Sequence, residues 1–461
     1  MAIPTDAVPL PGSFRDPSGF VFEQGGRLYR RVNAVYREQY DLLVQSGLLE
    51  ALHTQRLLVR HRELDAGAEP DAGLVLEPEI VPFISYPYEW SIGQLKDAAL
   101  LTLRIQKLAL DHEMTLKDAS AYNIQFVASA PIHIDTLSFE RYQQGEPWVA
   151  YRQFCEHFVA PLVLMSYCDL RLGRLLGIHL DGIPLGLVCR ILGRRGWLNP
   201  GVWLHVRAHA RAQSWSQRRP GSLTTGRQVS KAGLYGLVDS LRATIESLPG
   251  PDRSSAWGRY VEDAHHYSEA ALASKRQIVT DLVRRTRPSS VWDLGANTGE
   301  YSRIAADLGC QVISIDSDPV AVERNYQLCK AHNSTALPLL ADLANPSPGI
   351  GWLNAERPAL LSRGKPDLVM ALALLHHLAI GNNLSFRQIA EFLAGLAVWS
   401  IVEFVPKTDP MVQLMLSTRR DIFAQYDLPS FEREFARLFE PVEGRQVADT
   451  ERSLYLYKRR G

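Results

Sequence analysis

Cysteine is scarce in this 461-residue sequence, and what there is stands apart: Cys155, Cys168, Cys189, Cys310 and Cys329, none in a CxxC pair. An odd number without close spacing argues against a disulfide framework and against a cysteine-built zinc site, and makes a reducing cytoplasm the expected location. Net charge is also missing. Fifty basic residues balance fifty acidic ones, so no overall field draws the chain to nucleic acid or to an anionic surface. Nowhere do roughly eighteen apolar residues follow one another, the length a membrane span needs. Even "FVAPLVLMSYCDLRLGRLLGIHL" is broken by Asp169, Arg171 and Arg174. The opening "MAIPTDAVPLPGSFRDPSGF" has neither the basic start nor the apolar centre of a secretory signal, so none is expected. Internal repeats and low-complexity tracts are absent as well.

What remains is the composition of a globular protein, 46% apolar and 22% charged, with length for two or three domains. Near the start, "GFVFEQGGRLYRRV" predicts two short strands around a Gly25-Gly26 turn. Helical periodicity follows in "AVYREQYDLLVQSGLLEAL", then strands in "GLVLEPEIVPFIS" and a long helix opened by Ser91. Residues 147–190 read as helix-rich. The basic stretch "RAHARAQSWSQRRPGSLTTGRQ" reads as a solvated helix end and loop rather than a nucleic-acid patch, and "LPGPDRSS" (248–255) as the linker. From residue 256 helices and strands alternate, and the chain closes on two antiparallel strands, "VEGRQVA" and "SLYLYKR". Such alternation predicts a mainly parallel sheet covered on both faces.

The most informative stretch is "VWDLGANTGEYSRIAADLGCQVISIDSDP", residues 291–319. A buried strand ends at Gly295, and Gly295 and Gly299 bracket a turn that lets backbone approach a ligand closely. The next strand ends at Asp316, where an acidic side chain can accept hydrogen bonds from ribose hydroxyls. A dinucleotide loop would be GxGxxG, to seat pyrophosphate on a helix N-terminus. Here Asp293 and Glu300 flank the loop instead, and two carboxylates suit a sulfonium and an ammonium group better.

These motifs resemble those of class I S-adenosylmethionine-dependent methyltransferases, "VWDLGANTGEYS" matching the first motif and "VISIDSDP" the second. The resemblance implies a Rossmann-like α/β fold with a seven-stranded sheet and S-adenosylmethionine as cofactor. It implies that Gly295, Ala296 and Gly299, with Asn297, border the methionine moiety. Asp293 would neighbour its amino group, Asp316 with Ser317 would hold the ribose, and Asp342 would contact the adenine. Leu372, in the fourth motif "PDLVMALALLHHL", would flank the cofactor. The pattern "DLANPSPGIGW…ALALLHHLAIGNN…EFVPKTDP" is similar, more narrowly, to bacterial nodulation-type (Noe-family) methyltransferases.

Methyl transfer requires an acceptor lone pair held in line with the sulfonium, and a base only where the acceptor must lose a proton. His376 and His377, after the fourth strand of this region, are the candidate bases; their alternative role is to cap or pack. Glu403 and Lys407 face the same edge, and Tyr267 and Lys275 precede the sheet as candidates to close over the cofactor. No Asn-Pro-Pro-Tyr-type sequence follows the fourth strand, so the expected acceptor is an oxygen on a carbohydrate or other small molecule. A small-molecule or glycan partner is expected, with no membrane and no nucleic acid.

A second pattern lies upstream in "LKDASAYNIQFVASAPIHIDTLSF". Asp118, Asn123 and Asp135 are spaced like the residues with which kinases accept a hydroxyl proton and hold magnesium. With the strand and helix order before them, residues 15–240 resemble a divergent kinase-like α+β domain. Several features depart from that family. Leu116-Lys117 and Thr136-Leu137 replace its usual neighbours, no glycine-rich phosphate loop precedes "RLYRRV", and Arg30 or Arg31 stands where a phosphate-binding Lys is expected. Active phosphotransfer, an inactive nucleotide- or substrate-binding scaffold, and an Asx-rich turn all stay open, and no metal site is assigned. The expected organisation is therefore 1–247 as an acceptor-presenting or regulatory domain, 248–255 as linker and 256–461 as methyltransferase domain. Two rival readings are a bifunctional enzyme that also transfers phosphate, and a non-catalytic cofactor-binding adaptor.

Overall fold

The computed structural model describes residues 8–64, 74–212, 228–250, 268–417 and 420–461. Most of the basic stretch at 207–228, the linker beyond residue 250, and Tyr267 lie outside the described residues. The chain divides into two compact units. One is Met1–Pro251 with Pro348–Pro358, the other Asp252–Ser347 with Ala359–Gly461.

In the first unit, β1 (Gly19–Gln24) and β2 (Arg27–Val32) form a hairpin. Its turn places Gly25 and Gly26 at φ +59° and +73°, a conformation only glycine adopts without strain. β3 (His61–Leu64) and β4 (Leu74–Pro78) complete an antiparallel sheet in the order β1-β2-β4-β3. Alternation along β4 feeds two cores: Val75 packs with Phe22 and Tyr29, while Leu74 and Leu76 pack with Tyr36, Tyr40 and Leu137. The long helix Ile92–Asp111 starts at Ser91, whose hydroxyl accepts from the Gln94 amide as the Gln94 side chain accepts from the Ser91 N–H. Two small hairpin-like pairs follow. β5 (Met114–Leu116) pairs with β8 (Phe139–Arg141), and β6 (Ile124–Val127) with β7 (Ala130–His133). The rest of the unit is helical, including the π-helical turns Cys155–Val159 and Trp203–Ala208.

Residues 348–358 group with this first unit, although the expected domain 256–461 ran without interruption. Ile350 and Arg357 exchange backbone hydrogen bonds of 3.0 Å, which folds the segment back on itself. Buried Glu356 accepts from both Nε and Nη2 of Arg15, at 2.8 and 2.9 Å. The Arg357 guanidinium lies 4.7 Å from the centre of the Tyr122 ring.

The second unit contains the expected seven-stranded sheet. Its strands are β9 (Ser290–Leu294), β10 (Gln311–Asp316), β11 (Leu337–Leu340), β12 (Leu368–Ala371), β13 (Trp399–Phe404), β14 (Phe439–Gln446) and β15 (Ser453–Arg459). They run in the order β11-β10-β9-β12-β13-β15-β14, with β15 antiparallel to both its neighbours and all other pairings parallel. Both faces are buried. On β15, Leu454 and Leu456 join the core formed with helix Glu269–Thr286, whereas Tyr455 and Tyr457 enter an aromatic cluster with Phe431. The order of strands reverses between β9 and β12. Side chains and loops at the carboxyl ends of these two strands therefore border a crevice, the place where open α/β sheets bind ligands.

Candidate functional site

At that crevice β9 delivers Asp293 and then Gly295, and the helix Glu300–Asp307 carries the chain away. Gly295 and Gly299 have φ of +72° and +73°. A Cβ on Gly299 would lie 2.0 Å from Asn325 Oδ1, and one on Gly295 would lie 3.1 Å from the Leu374 side chain. Both the left-handed backbone and the close approach require glycine. The Gly295 and Ala296 N–H groups donate to the Ile315 carbonyl at 2.9 and 3.0 Å, which ties the loop to the end of β10.

Asp316, the last residue of β10, accepts from the Asn297 N–H at 2.8 Å and from the Asp318 N–H at 2.9 Å. Asn297 takes the left-handed conformation, φ +50°, to make that contact. Burial raises the Asp316 carboxyl above the usual range, while these two N–H donors pull it back down. Ser317 is exposed beside it. Asp293 is 1% exposed, and burial pushes its carboxyl up to about 6 against the opposing pull of Ser302 and Lys275. The Ser302 hydroxyl donates to Asp293 at 2.6 Å and lies 2.7 Å from the Ser314 hydroxyl, which accepts from the Asn325 side chain at 2.7 Å. Ser302, Ser314 and Asn325 carry no motif signature, and sequence reasoning missed them.

The neighbouring positions differ in what they can offer. The Ala341 N–H donates to the Asp316 carbonyl at 2.9 Å, which places Asp342 next to the end of β10. The Asp342 carboxylate accepts from the Ala344 N–H. Leu372 packs into the core under the sheet. Beyond it, Ala373 at φ +50° turns the chain, Leu374 reaches Gly295, and a π-helical turn begins at His377 with the Asn382 N–H bonding five residues back at 3.1 Å. Such turns recur at functional sites. His376 is 3% exposed and its Nδ1 has no hydrogen-bond partner. Burial holds it well below the usual imidazole range, helped by His377, Arg452 and Lys275. His377 is exposed, its ring centre 4.3 Å from that of His376, and burial of its ring lowers it too.

Lys275 and Glu403 meet each other: Nζ to Oε2 is 2.6 Å, with both side chains buried. Arg452 stands 3.7 Å from Glu403 and binds Asp409 through Nε and Nη2 at 2.7 and 3.0 Å. Lys407 instead pairs with Asp421 at 2.9 Å. The buried ionic group thus links the helix before β9, the end of β13 and the start of β15. Lys275 and Glu403 were each candidates in the sequence; Arg452 and Asp409 were not.

In the first unit, Asp118, Asn123 and Asp135 also come together. Asp118 accepts from the Ser120 N–H at 2.9 Å and interacts with the Asn123 and Gln153 side chains; burial, then Asp135, raises its carboxyl. Asn123 donates to the Ser138 hydroxyl at 3.3 Å. Asp135 is bonded by Arg30, by the Ser138 hydroxyl and by the Leu137 N–H. Burial opposes ionisation of Asp135, but Arg30 and Ser138 outweigh it and hold the carboxyl below the ordinary range. Among the described residues no group of three or more His, Cys, Asp or Glu side chains is arranged to hold a metal ion.

No protein-family model matches the chain. Nodulation protein NoeA of Rhizobium meliloti (strain 1021) is 32% identical over 473 aligned positions, covering 98% of this chain and 97% of that protein. Among solved structures, N-methyltransferase NodS from Bradyrhizobium japonicum WM9 is 16% identical, covers 41% of this chain and 98% of its own, and has a TM-score of 0.30. Magnesium protoporphyrin IX methyltransferase (ChlM) from Synechocystis PCC 6803 is 17% identical, covers 45% and 96%, and has a TM-score of 0.33.

Proposed function

The chain belongs to the family of the nodulation protein NoeA, and from that premise we propose that its second unit is an S-adenosylmethionine-dependent methyltransferase. The observation that carries the reading is the joined pair of loops at the crevice. Gly295–Gly299 is held against the end of β10, and Asp316 bonds the Asn297 N–H across the gap.

The residues fit the cofactor. Bound there, S-adenosylmethionine supplies an electrophilic methyl group on a sulfonium. Gly295, Ala296, Asn297 and Gly299 would border its methionine portion, and Asp316, with Ser317, would accept from its ribose hydroxyls. Asp293 offers a buried carboxyl whose ionisation a neighbouring ammonium favours. Asp342 lies where the adenine would rest. Leu372 contributes from beneath, as core support for the Leu374 turn. We assign His376, neutral near pH 7 with an unpartnered Nδ1, as the base for an acceptor hydroxyl, a role its burial weakens; His377 lies beside it as the exposed alternative. The acceptor we propose is an oxygen on a carbohydrate or other small molecule, in keeping with the lack of an Asn-Pro-Pro-Tyr-type sequence after β12.

For the first unit we favour a partner role, presenting the acceptor or regulating access, on a divergent kinase-like scaffold. A phosphotransfer activity would need Asp135 free to hold a cation, and Arg30, Ser138 and Leu137 already engage it. Titration calorimetry tests the whole reading. The wild-type chain is expected to bind S-adenosylmethionine and S-adenosylhomocysteine, and Asp316→Ala to lose at least about tenfold in affinity with its circular dichroism unchanged. Absence of binding by the wild type would overturn the methyltransferase assignment, and unchanged affinity in Asp316→Ala would overturn the ribose role. Heat on adding magnesium and ATP would show that the first unit binds nucleotide, and only turnover of the ATP would revive phosphotransfer.

A further inference from the structure

The first unit carries a surface that methyl transfer does not use. Between Gly182 and Ala212 there are five arginines and no acidic residue, in a chain whose total charge is zero. The same stretch exposes large apolar side chains: Leu198 is 83% exposed, Leu204 46%, Trp203 45% and Ile191 39%.

The local fold makes this one patch. Asn199 starts the helical segment at Pro200 by accepting from the Gly201 and Val202 N–H groups at 2.9 and 3.3 Å. From there Val202, His205, Val206 and Ala210 turn inward and are buried. Trp203, Leu204, Arg207 and Arg211 share the other face at helical spacing. The Arg207 guanidinium lies 5.3 Å from the centre of the Trp197 ring, which brings the turn carrying Leu198 alongside. Arg207 and Arg211 both act on the Cys189 thiol, next to Arg190 and Ile191. Among the described residues, Arg190, Arg194, Arg207 and Arg211 are in no ion pair.

We propose that this face docks on an anionic lipid surface. Arginines without counter-ions supply attraction to phosphate headgroups, and the indole and leucine side chains beside them supply the apolar insertion that holds a peripheral protein at the interface. A nucleic-acid surface would share the arginines but would leave Leu198, Leu204 and Ile191 against water or phosphate. The patch is peripheral: no helix among the described residues is long and apolar enough to cross a membrane. It departs from the expectation of no membrane partner, which rested on the lack of an apolar span and on neutral net charge. Neither observation registers a local patch.

Flotation of the full chain with vesicles tests this. Wild type is expected to float with phosphatidylcholine vesicles containing about one-third phosphatidylglycerol, and at least about tenfold less with phosphatidylcholine alone. Leu198→Ser/Leu204→Ser and Arg207→Gln/Arg211→Gln are each expected to lower partitioning at least about tenfold while leaving circular dichroism and S-adenosylmethionine binding unchanged. Failure of the wild type to float overturns the proposal. So does flotation that ignores lipid charge, or that both variants retain. Binding to a DNA duplex that survives Leu198→Ser/Leu204→Ser while vesicle binding is absent would assign the patch to nucleic acid.

Discussion

Asp293→Asn should make the ligand-free second unit more stable near neutral pH, and the size of the gain follows from one buried carboxyl. In the folded chain Asp293 titrates at about 6 against an ordinary 3.8, chiefly because burial disfavours its charge. A folded-state value above the unfolded one means that the native state holds the proton more tightly. Stability is therefore greatest when Asp293 is protonated, falls as pH rises from 3.8 towards about 6, and is flat above that. At ~1.4 kcal/mol per decade, ionised Asp293 costs the fold about 3 kcal/mol above pH ~7. That cost already includes the Ser302 hydroxyl's bond to the carboxylate, and an amide oxygen accepts from Ser302 much as the protonated carboxyl does. The net expectation is a gain of about 3 kcal/mol at pH ~7.5, shrinking to about half that at pH ~5, where wild type is mostly protonated. Hydrogen exchange by mass spectrometry, read on peptides covering residues 290–316, compares the two proteins at each pH. Equal protection at neutral pH, or a gain that does not shrink on acidification, would refute the reasoning. The same variant should bind S-adenosylmethionine more weakly, because the carboxylate that burdens the empty fold is the one a bound cation would stabilise.

Two further substitutions probe the supports of the crevice. Gly299→Ala forces a Cβ into a left-handed backbone at φ +73° and to within 2.0 Å of Asn325 Oδ1. It should cost about 2–4 kcal/mol, seen as a fall of several degrees in Tm; no change in Tm would mean the loop relaxes freely. Lys275→Met removes the cation 2.6 Å from buried Glu403 and leaves Arg452 at 3.7 Å. A loss of about 3 kcal/mol in urea unfolding is expected, with much of it regained in Lys275→Met/Glu403→Gln; a double variant as unstable as the sum of the single ones would refute a coupled pair.

The sheet of the second unit was legible because its parallel strands are short, mainly apolar runs, each bounded by a turn or a helix signal. "VWDLGANTGEYS" and "VISID" fall on β9 and β10, and Asp316 ends its strand where the spacing predicted. Pairings between side chains distant in sequence left no such mark. Asn325 braces the Gly299 loop from a helix whose apolar pattern is ordinary, and Arg452 reaches Glu403 and Asp409 from more than forty residues away. The sequence placed Glu403 at the ligand edge of the sheet and Lys275 before it but could not join them, since a buried ion pair has no local signature. In the first unit the order of strands could be read around Asp118, Asn123 and Asp135, and Arg30 or Arg31 was marked at the position of a phosphate-binding Lys. That Arg30 would bond Asp135 itself, rather than await a phosphate, depends on how β2 meets the β7–β8 turn.

The excursion at 348–358 sets an order on how the chain can be made. A ribosome delivers the first unit almost entirely before the second, yet Glu356 and Arg357, the partners of Arg15 and Tyr122, emerge only after β9, β10 and β11. Until residue 358 has been synthesised, the first unit waits with Arg15 lacking its carboxylate and Tyr122 lacking its guanidinium. Vectorial folding of this protein therefore cannot finish one unit and then start the other. A nascent chain released short of residue 356 carries a first unit that lacks both of these contacts.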